Sequence, residues 1–160
     1  MAILHFSHSG ICVSDLDRST AFYRDVFGFK QHHSLKFKGE PTATLLQIKD
    51  VEIEVVYLER DGTVIELLHY TEEAPTRDPV PREMNRVGLT HFSFNVDNIG
   101  EVCREIEAAG GRVLSQTQIG EFSGKSSVIF VTDPDGCLIE LVQSPADPKR
   151  LPLQPDDLER

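Results

Sequence analysis

Residues 61–68 read DGTVIELL and residues 135–142 read DGCLIELV. Each stretch carries an Asp-Gly turn signal, and each places a carboxylate, Glu66 or Glu140, four residues after the Gly in an apolar run. The two copies stand at an offset of 140 − 66 = 74. Self-similarity on this scale constrains the chain strongly, because it implies two copies of one supersecondary unit.

The rest of the chain follows the same division. Residues 4–13, LHFSHSGICV, alternate as a strand does. Ser14 or Asp15 can cap a helix whose apolar positions Leu16, Phe22, Tyr23 and Val26 lie mostly on one face, and Gly28 ends it. His32 and His33 follow in a polar stretch and are expected to be solvated. Strands are predicted over 42–48, 51–58 and 63–70, the last two joined by the Asp61-Gly62 turn, so the first module reads β-α-β-β-β. Residues 71–87 hold three prolines and many charges, which mark a linker. HFSFNV (91–96) then aligns with HSGICV (8–13) at an offset of 83. NIGEVCREIEAAGG is a capped, amphipathic helix, and SSVIFVTDPDGCLIELVQ is a hairpin turning at Asp133–Gly136. The expected fold is α+β, with two tandem βαβββ modules. The expected domain is 1–145, with modules at 4–70 and 88–145, followed by an extended polar tail at 146–160.

Composition narrows the function classes. A formal charge of −10 argues against nucleic acid or an anionic membrane as partner, since both need clustered Lys and Arg. No apolar run approaches the ~20 residues of a membrane span. The N-terminus lacks a secretory signal pattern. Cys12, Cys103 and Cys137 are odd in number and lack CxxC spacing, which fits a reducing cytoplasm better than a disulfide framework.

Each module opens with a His on its first strand, His8 or His91, and closes with a Glu on its last, Glu66 or Glu140. Modules related by a pseudo-two-fold axis would bring these four side chains together. Two imidazoles and two carboxylates suit a divalent transition metal, and a buried carboxylate is favourable when it neutralises such an ion. Ile and Leu flank both glutamates, so Glu is expected on the face opposite the helices. His5 and His69 fall on the other parity of their strands and are expected to face away.

The stretches HSGICVSDLDRSTAFYRDVFGF, VIELLHY, GLTHFSFNVDNI and DPDGCLIELVQ resemble the vicinal oxygen chelate superfamily, the glyoxalase, bleomycin-resistance and dioxygenase group. The resemblance covers residues 4–70 and 87–145 and implies that the modules form a cup-shaped mixed sheet around a metal, held by His8, Glu66, His91 and Glu140. The metal would be Co, Ni, Zn, Mn or Fe, and a homodimer is implied. The shared chemistry of that group is chelation of substrate oxygens to stabilise an enolate or enediolate, with a carboxylate moving the proton. Glu140 matches the carboxylate that is both a ligand and a base candidate; Glu54 or Glu52 are available as a second base.

Several reactions compete. The stretch EVVYLERDGTVIELLHY, the long linker and IGEFSGKSSVIF look like methylmalonyl-CoA epimerase, with Lys125 a candidate substrate contact. The interval 91 − 66 = 25 would let one chain supply all four ligands. The substrate would be a small-molecule carbonyl compound or thioester, although an acidic chain lacks the basic patch that coenzyme A favours. NVDNIGEVCREIEAAGGRV looks like glyoxalase I, a lactoylglutathione lyase, yet Cys12 stands where that branch carries an Arg for a glutathione carboxylate. An Fe(II) extradiol-type dioxygenase would use His8, His91 and Glu140, but Glu66 would then fill a position that oxygen or catecholate needs. A non-catalytic, resistance-type binding protein is the remaining reading, and the complete ligand quartet counts against it. The sequence reading favours the epimerase-like isomerase over the lyase.

Overall fold

A computed structural model of the chain describes residues 3–72, 83–122 and 126–144. Lys125, the tail at 146–160 and most of the linker lie outside the described residues. The chain divides into two compact units, Met1–Pro81 and Arg82–Arg160.

The first unit runs β1 (Ser9–Cys12), α1 (Leu16–Asp25), β2 (Lys30–Lys38), α2 (Glu40–Leu46), β3 (Glu52–Arg60) and β4 (Thr63–Tyr70). Its four strands lie in the order β1-β4-β3-β2, with β1 parallel to β4 and the other pairs antiparallel. The second unit runs β5 (Phe92–Val96), α3 (Ile99–Ala108), β6 (Arg112–Val113), a 3-10 turn at Ser115–Thr117, β7 (Ser127–Thr132) and β8 (Leu138–Gln143). Its order, β5-β8-β7-β6, repeats the first, again with only the first strand parallel. The α+β class and the repeated β-α-β-β-β plan are therefore as the sequence suggests.

Two elements differ from expectation. Residues 30–38 form the second strand of the first unit, where no strand was expected, although His32 and His33 are exposed as expected. All nine residues of β2 are exposed, so no buried face imposes a visible alternation on KQHHSLKFK. Residues 42–48, expected as a strand, belong mostly to helix α2. Gly39 caps that helix and Pro41 sits in its first turn, where the missing N–H costs nothing. The Thr and Leu side chains of TATLLQI mimic strand composition, but the Gly-Glu-Pro start decides the local structure.

The two long helices form as their ends dictate. Asp15 accepts a hydrogen bond from the Arg18 N–H at 2.9 Å, and Asn98 accepts one from the Glu101 N–H at 3.1 Å. Both are N-cap bonds that satisfy an otherwise orphaned donor. At the end of α1, Gly28 has φ +66°, and its N–H donates to the Arg24 carbonyl at 3.0 Å. That backbone conformation is easy only for glycine. The reversal brings Phe27 and Phe29 back against Phe22 and Tyr23, all four rings buried. Ile65 and Leu67 of β4 and Leu58 of β3 share the same core. In the second unit Ile99, Cys103 and Ile106 of α3 are buried, as are Ile139 and Leu141 of β8 and Ile129 and Val131 of β7.

The hairpins differ at their turns. In the first unit Arg60 pairs with Thr63 across two residues, Asp61 and Gly62. Both have positive φ, as a type I′ turn requires. In the second, Thr132 pairs with Leu138 across a longer loop, 133–137. Asp133 is buried and organises that loop. Its Oδ1 accepts from the Asp135 N–H at 2.9 Å. The same oxygen accepts from the Cys137 N–H at 2.8 Å. Such side-chain-to-backbone bonds let Asp mimic a backbone turn. Replacing Asp133 with Ala removes both acceptors, and a cost of about 1–3 kcal/mol is expected. Urea unfolding of the variant beside the parent checks this.

Candidate metal centre

The four candidate ligands form two like pairs, one in each unit. His8 precedes β1, and its Nε2 lies 3.2 Å from Oε2 of Glu66 in the middle of β4. His91 precedes β5, and its Nε2 lies 3.7 Å from Oε2 of Glu140 in the middle of β8. Strand pleating explains the aim of the carboxylates. Ile65 and Leu67 turn into the core at 2 % and 0 % exposure. Glu66 must therefore point from the opposite face. Ile139 and Leu141, both at 0 %, do the same for Glu140. Both carboxylates remain partly covered, with side chains 14 % and 20 % exposed.

A hydroxyl on the preceding residue meets the far nitrogen of each imidazole. Ser7 Oγ lies 3.0 Å from His8 Nδ1, and Thr90 Oγ1 lies 2.9 Å from His91 Nδ1. An Nδ1 engaged in this way leaves Nε2 to face the carboxylate, the arrangement that orients a ligating histidine. Two donors of one cation, each bonded at ~2.0–2.2 Å, stand roughly 3–3.5 Å apart. Both observed separations are close to that span, so the donors of each pair fit a divalent cation. Among the described residues no set of three or more His, Cys, Asp or Glu side chains is gathered at one point.

The register brings in side chains that the sequence reading passed over. Tyr57 on β3 pairs directly with Glu66, and Phe130 on β7 pairs directly with Glu140. The Tyr57 hydroxyl donates to Glu66 Oε1, and its ring meets His8 edge-on at 5.5 Å. The hydrogen bond to Glu66, reinforced by burial, pushes the Tyr57 hydroxyl up to about 12. It therefore stays protonated in neutral solution. Phe130 meets His91 edge-on at 5.2 Å but has no hydroxyl. Glu140 obtains its donor from the other side: Ser93 on β5, its parallel partner, donates to Oε2 at 2.8 Å. The corresponding partner of Glu66 is Gly10. Turn placement is the signal that could have found Tyr57, since a two-residue turn at Asp61-Gly62 sets it opposite Glu66 by counting.

The other histidines and the second-base candidate are placed as follows. His33 is exposed as expected, and it also stacks on Tyr57 at 4.8 Å, beside the surroundings of Glu66. His32 Nε2 lies 3.7 Å from Glu59. The ring of His69 meets the Val13 carbonyl at 3.3 Å through Nδ1, on the face opposite Glu66. His5 is exposed. Glu54 pairs across the sheet with His69, on the face opposite Glu66, and is ion-paired with Lys36. The structure therefore does not bring Glu54 to Glu66. Glu52 shares the parity of Glu54 and the same face.

Two repeats of a mixed four-stranded sheet, each with a His–Glu pair on the face away from its long helix, define a paired-module α+β protein. Residues 3–141 match the Glyoxalase/Bleomycin resistance protein/Dioxygenase superfamily, and the chain belongs to that family. It is 33% identical to a probable lactoylglutathione lyase of Vibrio cholerae, over 86% of this chain and 88% of that protein. It is 30% identical to a lactoylglutathione lyase of Arabidopsis thaliana, over 97% of this chain but only 50% of that longer protein. Among solved structures, a glyoxalase family protein from Bacillus cereus superposes with a TM-score of 0.75 at 18% identity, covering 89% of this chain and 95% of that one. That likeness shows the fold. No helix among the described residues is long and apolar enough to cross a membrane.

Proposed function

We propose that the chain is a divalent-metal enzyme that moves a proton next to a carbonyl group, with His8, Glu66, His91 and Glu140 as the metal-holding residues. The observation that carries this reading is the recurrence of one His–Glu pair, each with a hydroxyl behind the imidazole and another on the carboxylate. A bound divalent cation would supply Lewis-acid polarisation of a substrate oxygen. The chain supplies the rest: Glu140 takes and returns the proton. Co, Ni, Zn, Mn and Fe all suit two nitrogens and two carboxylates.

The first substrate class is a hemithioacetal of a 2-oxoaldehyde, converted to a 2-hydroxyacyl thioester. The relatives named as lactoylglutathione lyases support it. A second reading is epimerisation of an acyl thioester. It is favoured by Cys12, exposed on β1 four residues after His8, where the glyoxalase I pattern would place an Arg for glutathione. Both readings share the proton transfer and include a homodimer and a cytoplasmic setting.

The test begins with elemental analysis of protein purified without chelator or His tag. The metal-loaded protein is then offered methylglyoxal with glutathione, and separately acyl thioesters in deuterated water. New thioester absorbance supports the lyase. Deuterium entering the α-carbon of an acyl thioester supports the epimerase. Retained iron with ring cleavage of catechols, or no metal even after reconstitution, overturns the proposal.

A further inference from the structure

The two carboxylates are alike in sequence but are held differently. Glu66 has both oxygens engaged, Oε1 by the Tyr57 hydroxyl and Oε2 by His8. The Tyr57 ring is itself fixed, with His33 stacked at 4.8 Å and His8 edge-on at 5.5 Å. Glu140 has its contacts from Ser93 and His91 on one oxygen, Oε2, among the described residues. The cross-strand partners differ. A side chain at Gly10, the position matching Ser93, would begin with a Cβ 3.0 Å from Leu68 Cδ1. Leu68 would have to give by a few tenths of an ångström to admit one; with Gly there the first unit has no hydroxyl on that flank, and β3 supplies it instead. In the second unit Phe130 holds the place of Tyr57 and offers none.

We infer that Tyr57 is a positioning residue that locks Glu66 as a fixed ligand, while Ser93 steadies only one oxygen of Glu140. This rests on the metal-centre reading above. The two glutamates are thus restrained to different degrees, although the sequence repeats them in the same context. Tyr57 acts on the metal through Glu66, by a hydrogen bond that costs the carboxylate its freedom to swing.

The experiment uses the full chain with zinc and with Co(II) alone, so no substrate is required. Zinc affinity is measured by competition with a chromophoric chelator, and the Co(II) visible spectrum reports the ligand field. For Tyr57→Phe, which deletes one hydroxyl and keeps the ring, affinity falls about 10–100-fold and the Co(II) bands shift. For Ser93→Ala the fall is smaller, because one oxygen of Glu140 is already unrestrained. His33→Ala, which loosens the tyrosine ring, changes affinity in the direction of Tyr57→Phe by less. Tyr57→Phe with parental affinity and spectrum, or a Ser93→Ala loss equal to or larger than it, overturns the inference and leaves the metal centre standing. A parent protein that binds neither zinc nor Co(II) overturns both.

Discussion

Glu140→Gln is expected to leave a folded protein with turnover reduced on the order of 10²–10⁴-fold, the usual contribution of a positioned general base. The amide keeps the length and shape of the side chain, and its oxygen still accepts from Ser93. Ile139 and Leu141, which anchor β8 in the core, are untouched. What disappears is the negative charge to which the proposed function assigns the proton transfer and part of the neutralisation of a cation. The variant should also bind metal more weakly, since a neutral amide is a poorer ligand than a carboxylate for a hard or borderline ion. Steady-state rates normalised to metal content, with thermal midpoints for both proteins, separate these effects. His5→Gln is the control: His5 is exposed ahead of β1, and its replacement should change neither rate nor metal content. Unchanged turnover in Glu140→Gln would remove Glu140 from the centre of the chemistry.

The largest loss of stability is expected at Phe22. Its ring is 1 % exposed and packs against Tyr23 at 5.4 Å and Phe27 at 5.7 Å. It sits on the inner face of α1, where the helix meets the sheet carrying Glu66. Truncation to Ala removes a buried aromatic ring and leaves a cavity that a cluster of rigid rings fills poorly, so Phe22→Ala should cost about 3–5 kcal/mol. A lowered denaturant midpoint checks it. Phe22→Leu, which keeps more of the volume, should lose less. Equal midpoints for Phe22→Ala and the parent would mean that the aromatic cluster is not what holds α1 to its sheet.

Where the chain repeats itself, the sequence is easy to read. The Asp-Gly turns, the alternation around Glu66 and Glu140 and the caps at Asp15 and Asn98 each have a local physical cause, and each is found where expected. Strand β2 has no such local cause: an exposed edge strand has no buried face, so pairing with β3 alone makes it a strand. Helix α2 departs from expectation because its Gly-Glu-Pro start outweighs the strand-like composition that follows. The site divides in the same way. Recurrence of His and Glu is visible in one dimension. The roles of Tyr57 and Ser93 depend on which residue lies across the sheet, and that is a property of register. Glu54 is near the ligand strand along the chain, and pleating sends it to the other face.

The mismatched loops and exchanged hydroxyls have a historical consequence. If the halves descend from one duplicated ancestor, each copy met the need for a donor to its glutamate from a different neighbour, tyrosine on one flank and serine on the other. Position 57 set against 130, or 10 against 93, then looks like lost identity, although the support given to the glutamate persists. Kinship among such duplicated proteins is better judged by asking whether each carboxylate has a donor on either flank than by comparing columns of letters. By the same logic a graft of Tyr57 alone onto position 130 would give Glu140 two donors, and the halves of this chain are no longer interchangeable parts.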